Sequence, residues 1–168
     1  MTADDACADM DAHATAAALA DLLGKVGEYD LILCGDGSAD NYAQQVDVQL
    51  AAKLGLPVVN GAAKIELGAG VATVERVLED VVETVEVPLP AVISVVPDVA
   101  LPRIPGMKDI LAAGKKPMNV SAADGAYAAA LEVVDCKAPE QADRKLEIID
   151  ASEDGAIEKF AAAIKAAL

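Results

Sequence analysis

The run Asp30-Leu31-Ile32-Leu33-Cys34 is apolar after its first residue and stops at Gly35-Asp36-Gly37-Ser38. A short unbroken apolar segment leaves no face suited to water, so it reads as a strand buried on both sides, as in parallel sheets. Parallel strands need a crossover connection. One follows here. Ala43, Val46, Leu50, Ala51 and Leu54 recur at helical spacing, Gly55 stops the helix, Pro57 follows it, and Val58-Val59 opens the next strand. The spacing predicts a right-handed βαβ unit, with a glycine turn at the carboxyl end of its first strand and a helix beginning near Asp40. Among soluble folds this places the chain in the α/β class.

The remaining elements extend that frame. Ala16-Ala17-Ala18-Leu19-Ala20-Asp21-Leu22-Leu23 predicts a helix ahead of the first strand. Lys64 to Leu67, Val71 to Leu78 and the alternating Glu83-Thr84-Val85-Glu86-Val87 predict hairpins. Ala91 to Val96 predicts another buried strand, Pro97 to Pro105 an extended exposed segment, and Met107 to Ala113 a short helix ending at Gly114. Residues 120–137 predict a short helix or turn and the run Leu131-Glu132-Val133-Val134, and Leu146 to Ile149 a strand. Ile157, Phe160, Ala161, Ile164 and Leu168 predict one apolar face of a terminal helix. The expected fold is α/β: a mainly parallel sheet flanked by helices, Rossmann-like and suited to an adenine nucleotide, with β-hairpin additions and a C-terminal arm. The expected domains are a core over 1–137 and an arm with its helix over 138–168.

With 168 residues, 54% of them hydrophobic, the chain suits one domain with a substantial core. Only 2% are aromatic, so that core is aliphatic and a base-stacking surface is not expected. The net charge of −15 repels a phosphate backbone, which argues against nucleic acid. A small nucleotide is compatible with it, since backbone amides act locally. Cys7, Cys34 and Cys136 stand far apart, without a CxxC pair, so neither a disulfide framework nor a zinc site is expected. Cys34 reads as a buried strand residue, and a reducing cytoplasm fits best. No apolar stretch reaches 18 residues, so membrane insertion is not expected, and MTADDACADMDAHAT is unlike a secretory signal.

The glycine turn is the main candidate site. It would let a ligand approach backbone, and the next helix offers free N–H groups. Ser38, Gln44 and Gln45 add neutral donors, while Asp36 or Asp40 accept from ribose hydroxyls, or Asp40 caps the helix. A tight turn with a capped helix explains the same residues, and GDGS is neither GxGxxG nor a Walker loop. His13, the single histidine, has no nucleophile beside it and reads as exposed. No metal-ligand set or triad is apparent, so the residue types favour binding over catalysis. Arg103-Ile104-Pro105-Gly106-Met107-Lys108 is a basic loop with an apolar tip in an acidic chain, which reads either as a docking surface or as a capped loop returning Met107 to the core.

Three motifs carry a family resemblance. The first runs Asp30-Leu31-Ile32-Leu33-Cys34-Gly35-Asp36-Gly37-Ser38-Ala39-Asp40-Asn41-Tyr42-Ala43-Gln44-Gln45-Val46. The second comprises Val74-Glu75-Arg76, Leu89-Pro90-Ala91-Val92, Pro102-Arg103-Ile104-Pro105 and Gly114-Lys115-Lys116-Pro117. The third is Ala138-Pro139-Glu140-Gln141. In this order they resemble the beta subunit of an electron transfer flavoprotein, of the Fix type linked to anaerobic carnitine or nitrogen-fixation electron flow. The resemblance implies a heterodimer with an alpha subunit and FAD held mostly by that subunit. At the beta site it implies AMP or a second FAD. Donors would be flavin dehydrogenases such as an acyl-CoA dehydrogenase.

By the same resemblance, Gly35, Asp36, Gly37, Ser38, Ala39, Asp40, Gln44, Gln45 and Val46 would hold the nucleotide. Arg103, Ile104, Pro105, Met107 and Lys108 would dock the dehydrogenase, with Met107 as apolar anchor. The arm from Ala138 would wrap the alpha subunit. The chain itself would be an electron carrier without catalytic residues. Two departures stand out. Val77 occupies a position that is acidic in many members, so that role is not carried over. The chain also lacks the family's usual amino-terminal third, which supplies a first strand and part of the adenine and ribose pocket. An isolated chain with an open sheet edge would self-associate. Two alternatives remain: a stand-alone nucleotide-binding protein resembling universal stress proteins, and a subunit scaffold that carries no electrons.

Overall fold

A computed structural model describes residues 10–39, 41–118, 125, 127–141 and 146–168. They fall into two compact units, Met1–Glu132 and Val133–Leu168. The first contains α1 (Ala12–Val26), β1 (Leu31–Gly35), α2 (Val46–Leu54), β2 (Val58–Leu67), β3 (Val71–Val77), β4 (Val82–Pro88), β5 (Ala91–Val95), a 3-10 turn at Pro97–Val99, and α3 (Met107–Ala113). The second contains α4 (Ala156–Ala167).

The strands form one mixed sheet in the order β1-β5-β2-β3-β4. β5 lies parallel to β1, with Cys34 opposite Ser94, and parallel to β2, with Val59 opposite Ile93. The crossover from β1 through α2 therefore spans a slot that β5 fills later. The sequence of β5 suits that slot, because Ala91, Val92, Ile93 and Ser94 are all buried. A strand flanked by neighbours on both edges and covered on both faces has no position for exposed polar side chains.

The other half of the sheet is an antiparallel meander, β2–β3–β4, as the alternating sequence predicts. Where β2 passes from β5 to β3 its register shifts, and Gly61 takes a left-handed φ of 69° there. A bulge of this kind bends a strand, and glycine adopts its conformation without strain. Val59, Ala62, Ala72, Val74, Val87, Ala91 and Ile93 close into one aliphatic cluster that joins the meander to β5.

On the helical side, α1 and α2 pack against each other, and α2 packs on β5 and β2. Asp11 caps α1 by accepting the Ala14 N–H at 2.8 Å. Its other oxygen accepts from the N–H groups of Ala130 and Leu131, at 2.7 and 3.0 Å. The Tyr127 hydroxyl donates to Asp21 at 2.7 Å. Residues 127–131 are thus strapped along α1. The Ala14 N–H, followed by those of Ala130 and Leu131, holds the Asp11 carboxyl below the usual carboxylate range.

Two expectations are corrected. The second helix starts at Val46, not near Asp40, because Tyr42 and Gln44 have φ of 43° and 52°. A right-handed helix contains no such residues, so Ala43 lies in the loop before it. Leu146 to Ile149 form no strand; Leu146 has φ of 48° and the segment finds no pairing partner among the described residues. Most of the short helix or turn expected after residue 120 lies outside the described residues, and the run Leu131 to Val134 is extended chain without helix or strand. In the second unit, Ala156 is buried while Ile157, Phe160, Ile164 and Leu168 lie exposed along α4.

Candidate functional site

β1 delivers its last residues to a cleft of about 380 Å³ lined by Gly35, Asp36, Gly37 and Ser38 from the turn, Ala43 to Asp47 from the entry to α2, Leu33 and Cys34 from β1, and Leu19 from α1. The turn is anchored to the sheet by the Asp36 N–H, which donates to the Val95 carbonyl at 3.1 Å. The loop then folds over the turn. The Tyr42 hydroxyl donates to Asp36 Oδ2 at 2.9 Å and Gln44 Nε2 donates to the same oxygen at 3.2 Å. These bonds hold Tyr42 and Gln44 in left-handed backbone that non-glycine residues adopt rarely. The Asp36 carboxylate in turn pushes the Tyr42 phenol above its ordinary pKa.

The two glycines of the turn have different reasons to be there. A Cβ at Gly37 would stand 2.5 Å from Cδ2 of Tyr42, so Gly37 makes room for the ring. A Cβ at Gly35 would meet nothing within 4 Å. Gly35 lines the cleft, so that empty space is where a ligand can reach backbone.

The first turn of α2 forms the far wall. Gln45 precedes the helix and supplies no side-chain cap; its Oε1 instead accepts from Gln49 Nε2 at 3.2 Å. The N–H groups that open a helix have no intrahelical acceptor, and the Gln45 side chain does not take them. Asp47, also in this turn, is only 4% exposed. Its charge, after burial, raises the pKa of the neighbouring Cys34 thiol. Cys34 itself is half-buried, where the sequence suggested a buried strand residue, because it lines the cleft.

Of the residues singled out in the sequence, Gly35, Asp36, Gly37, Ser38, Gln44, Gln45 and Val46 meet at this cleft. Ala39 does not line it, and Asp40 lies outside the described residues. Asp47, Cys34 and Leu19 were not identified as site residues. For Asp47 a signal existed: it sits three and four residues before Leu50 and Ala51, on the apolar face of α2, where a carboxylate is out of place.

As a receptor for a nucleotide the cleft fits unevenly. Gly35, Ser38, Gln44 and the carboxylates suit the hydroxyl-bearing part of such a ligand. The wall where a phosphate would meet amides carries Asp47, and among the described residues no lysine or arginine lines the cleft. A phosphate at that wall would rely on backbone amides alone.

The basic loop lies elsewhere on the first unit. Arg103, Ile104, Pro105, Met107 and Lys108 are exposed, with Ile104 and Met107 at 90% and 72%. Met107 opens α3, whose Asp109 accepts the Gly106 N–H at 3.1 Å. Met107 therefore does not return to the core. Among the described residues no group of histidine, cysteine or carboxylate side chains could hold a metal ion, and no helix is long and apolar enough to cross a membrane. His13 is exposed on α1. A sequence model of one protein family, described as electron transfer flavoprotein domain, matches residues 1–126.

Proposed function

The chain belongs to the electron transfer flavoprotein family, and from that premise we propose that it is a beta-type subunit of the Fix kind, paired with an alpha subunit in a cytoplasmic heterodimer. FAD, held between the two and mostly by the alpha subunit, supplies the reversible electron acceptance. This chain shapes and closes the complex and carries out no reaction by itself. The reading is supported most by the cleft at the carboxyl end of β1, where Gly35 leaves backbone open beside an uncapped helix start. In this reading the cleft takes the nucleoside end of a ligand, as a structural element of the subunit.

The exposed Ile104 and Met107, flanked by Arg103 and Lys108, suit docking of an acidic-rimmed flavin dehydrogenase. The apolar face of α4, with Phe160 and Ile164, suits burial against the alpha subunit.

The test is reconstitution. The purified chain is mixed with the alpha-type subunit from the same source, and FAD is added. The expected outcome is a stable heterodimer on size-exclusion chromatography with flavin absorbance in the complex peak. Two proteins that migrate separately, with free flavin, would overturn the proposal.

A further inference from the structure

Asp36 is tied to the sheet by its main chain and to the loop that follows by its side chain. Its N–H donates to the Val95 carbonyl of β5 at 3.1 Å. Its Oδ2 accepts from the Tyr42 hydroxyl at 2.9 Å and from Gln44 Nε2 at 3.2 Å. The loop carries strain that these bonds offset. Tyr42 and Gln44 have φ of 43° and 52°, backbone that residues with side chains keep only where their surroundings over-determine it. Gly37 completes the clasp: a Cβ there would stand 2.5 Å from Cδ2 of Tyr42, so the ring lies against the turn only because the position is glycine. Gln44 and Gln45 line the cleft, and Tyr42 does not. What Tyr42 does for a ligand it therefore does through its neighbours.

We propose that Asp36 is a positioning residue of the nucleotide cleft: it acts through Tyr42 and Gln44, holding the loop so that Gln44, Gln45 and the start of α2 face the ligand. The inference rests on the nucleotide reading of the cleft and deepens it. An aspartate here also suits ribose hydroxyls, but its Oδ2 already has two donors from its own loop, and a ligand that drew the carboxylate away would release both. Once released, Tyr42 and Gln44 are free to return to right-handed backbone. Because α2 begins at Val46, directly after the loop, that change extends the helix toward the turn and carries Gln45 and the opening N–H groups away from the cleft. Affinity then follows the fraction of molecules whose loop is already in place, since a ligand that must first order the loop binds more weakly by that fraction.

The experiment is calorimetric titration of the full chain with AMP, for wild type, Tyr42→Phe, Asp36→Ala, Asp36→Asn and the double variant D36A/Y42F. Tyr42→Phe removes a hydroxyl from a side chain outside the lining and is expected to weaken AMP binding about fivefold. Asp36→Ala releases Gln44 as well and is expected to weaken it about tenfold or more, and the double variant no further, because the two side chains act in one path. Asp36→Asn keeps an oxygen for the Tyr42 hydroxyl and is expected to bind AMP within about threefold of wild type. Should the Ala variant fold poorly, Tyr42→Phe carries the test, since Tyr42 is 58% exposed. A second readout separates positioning from a merely structural role. The Asp36 hydrogen bond, and then its charge, raise the Tyr42 phenol above its ordinary pKa. In a Y29F/Y127F background, where Tyr42 alone titrates, the tyrosinate midpoint is expected to fall in Asp36→Ala and to stay raised under saturating AMP. AMP binding unchanged in Tyr42→Phe, additive losses in the double variant, or a midpoint that falls when AMP is added would each overturn the proposal and leave the nucleotide reading standing. A wild-type chain that binds no AMP would overturn both, and a flavin-containing heterodimer formed by that chain would show that the subunit assignment survives.

Discussion

The β2–β3–β4 meander and the β1–α2 cleft belong to one sheet but treat their polar groups in opposite ways. In the meander, charged side chains face one another across strands or along one strand. Lys64 lies 2.8 Å from Glu66 and 3.2 Å from Glu75, and Arg76 lies 3.4 Å from Glu83. In the cleft, Asp47 is more deeply buried than any of these and has no such partner among the described residues. In the meander, charges of opposite sign meet; in the cleft, the carboxylates of Asp36 and Asp47 meet no lysine or arginine among the described lining residues. That difference separates a structural surface from a receptive one better than composition does, since both regions are acidic and rich in valine or alanine.

The largest effect should come from the residue that ties the two regions together. Ile93 is fully buried at the centre of β5 and belongs to the cluster shared with the meander. Ile93→Ala should cost about 2–5 kcal/mol of stability by removing buried methyl groups and leaving a cavity. If the regions form one cooperative unit, denaturation followed by tyrosine absorbance in a Y29F/Y127F background, where Tyr42 alone reports on the loop beside the cleft, should coincide with denaturation followed by far-ultraviolet circular dichroism. Separate transitions would break the comparison by showing that the cleft melts independently.

The next test bears on the cleft's carboxylates directly. Burial first, and the Asp47 charge second, raise the Cys34 thiol above its ordinary pKa. A raised acid pKa means less thiolate at a given pH, so iodoacetamide should modify Cys34 more slowly than the exposed Cys136 at pH 8. The rate should climb as pH rises through the elevated range. The thiol's contribution to stability has the same sign: it is present below the unfolded thiol pKa and lost as pH rises through the folded one. Asp47→Asn removes the second cause and leaves the first, so alkylation at pH 8 should quicken severalfold while still lagging a free thiol. Peptide mapping by mass spectrometry reads each cysteine separately. An unchanged rate would mean that the Asp47 charge is already neutralised, and the contrast with the meander would fail.

The sequence showed most of this fold because most of it is local. Met107 to Ala113 is bounded by Gly106 and Gly114 and forms a helix over that same range. The hairpins follow from alternation, and the apolar positions of α4 from helical spacing. What stayed hidden depends on partners distant in sequence. Nothing near residue 31 tells that Ala91–Val95 will enter between the first two parallel strands. Nothing in Tyr42 or Gln44 tells that Asp36 will hold them in left-handed backbone and delay the helix to Val46. At the site, the turn residues were legible because glycine and small polar residues announce a turn. Asp47 was missed although its place on the apolar face of α2 was legible, because a helix expected to begin near Asp40 put it past the first turn.

The smallest expected effect is in the meander, and its smallness is informative. Arg76 Nε is buried and makes no hydrogen bond, with only the Glu83 carboxylate nearby at 3.4 Å. Glu83→Gln removes the charge but keeps an oxygen that can accept. The Glu83 side chain is 47% exposed, so water screens the pair and the rest of the guanidinium retains access to solvent. The substitution should therefore cost under about 1 kcal/mol in urea denaturation and leave the alkylation rate of Cys34 unchanged. A loss of about 3 kcal/mol or more would place Arg76 among charges that are truly desolvated, for which removing one partner is severe. In that case the meander would hold an electrostatic dependence of its own. An unmet charge would then no longer distinguish the cleft from the rest of the sheet, and only the opening beside Asp47 would.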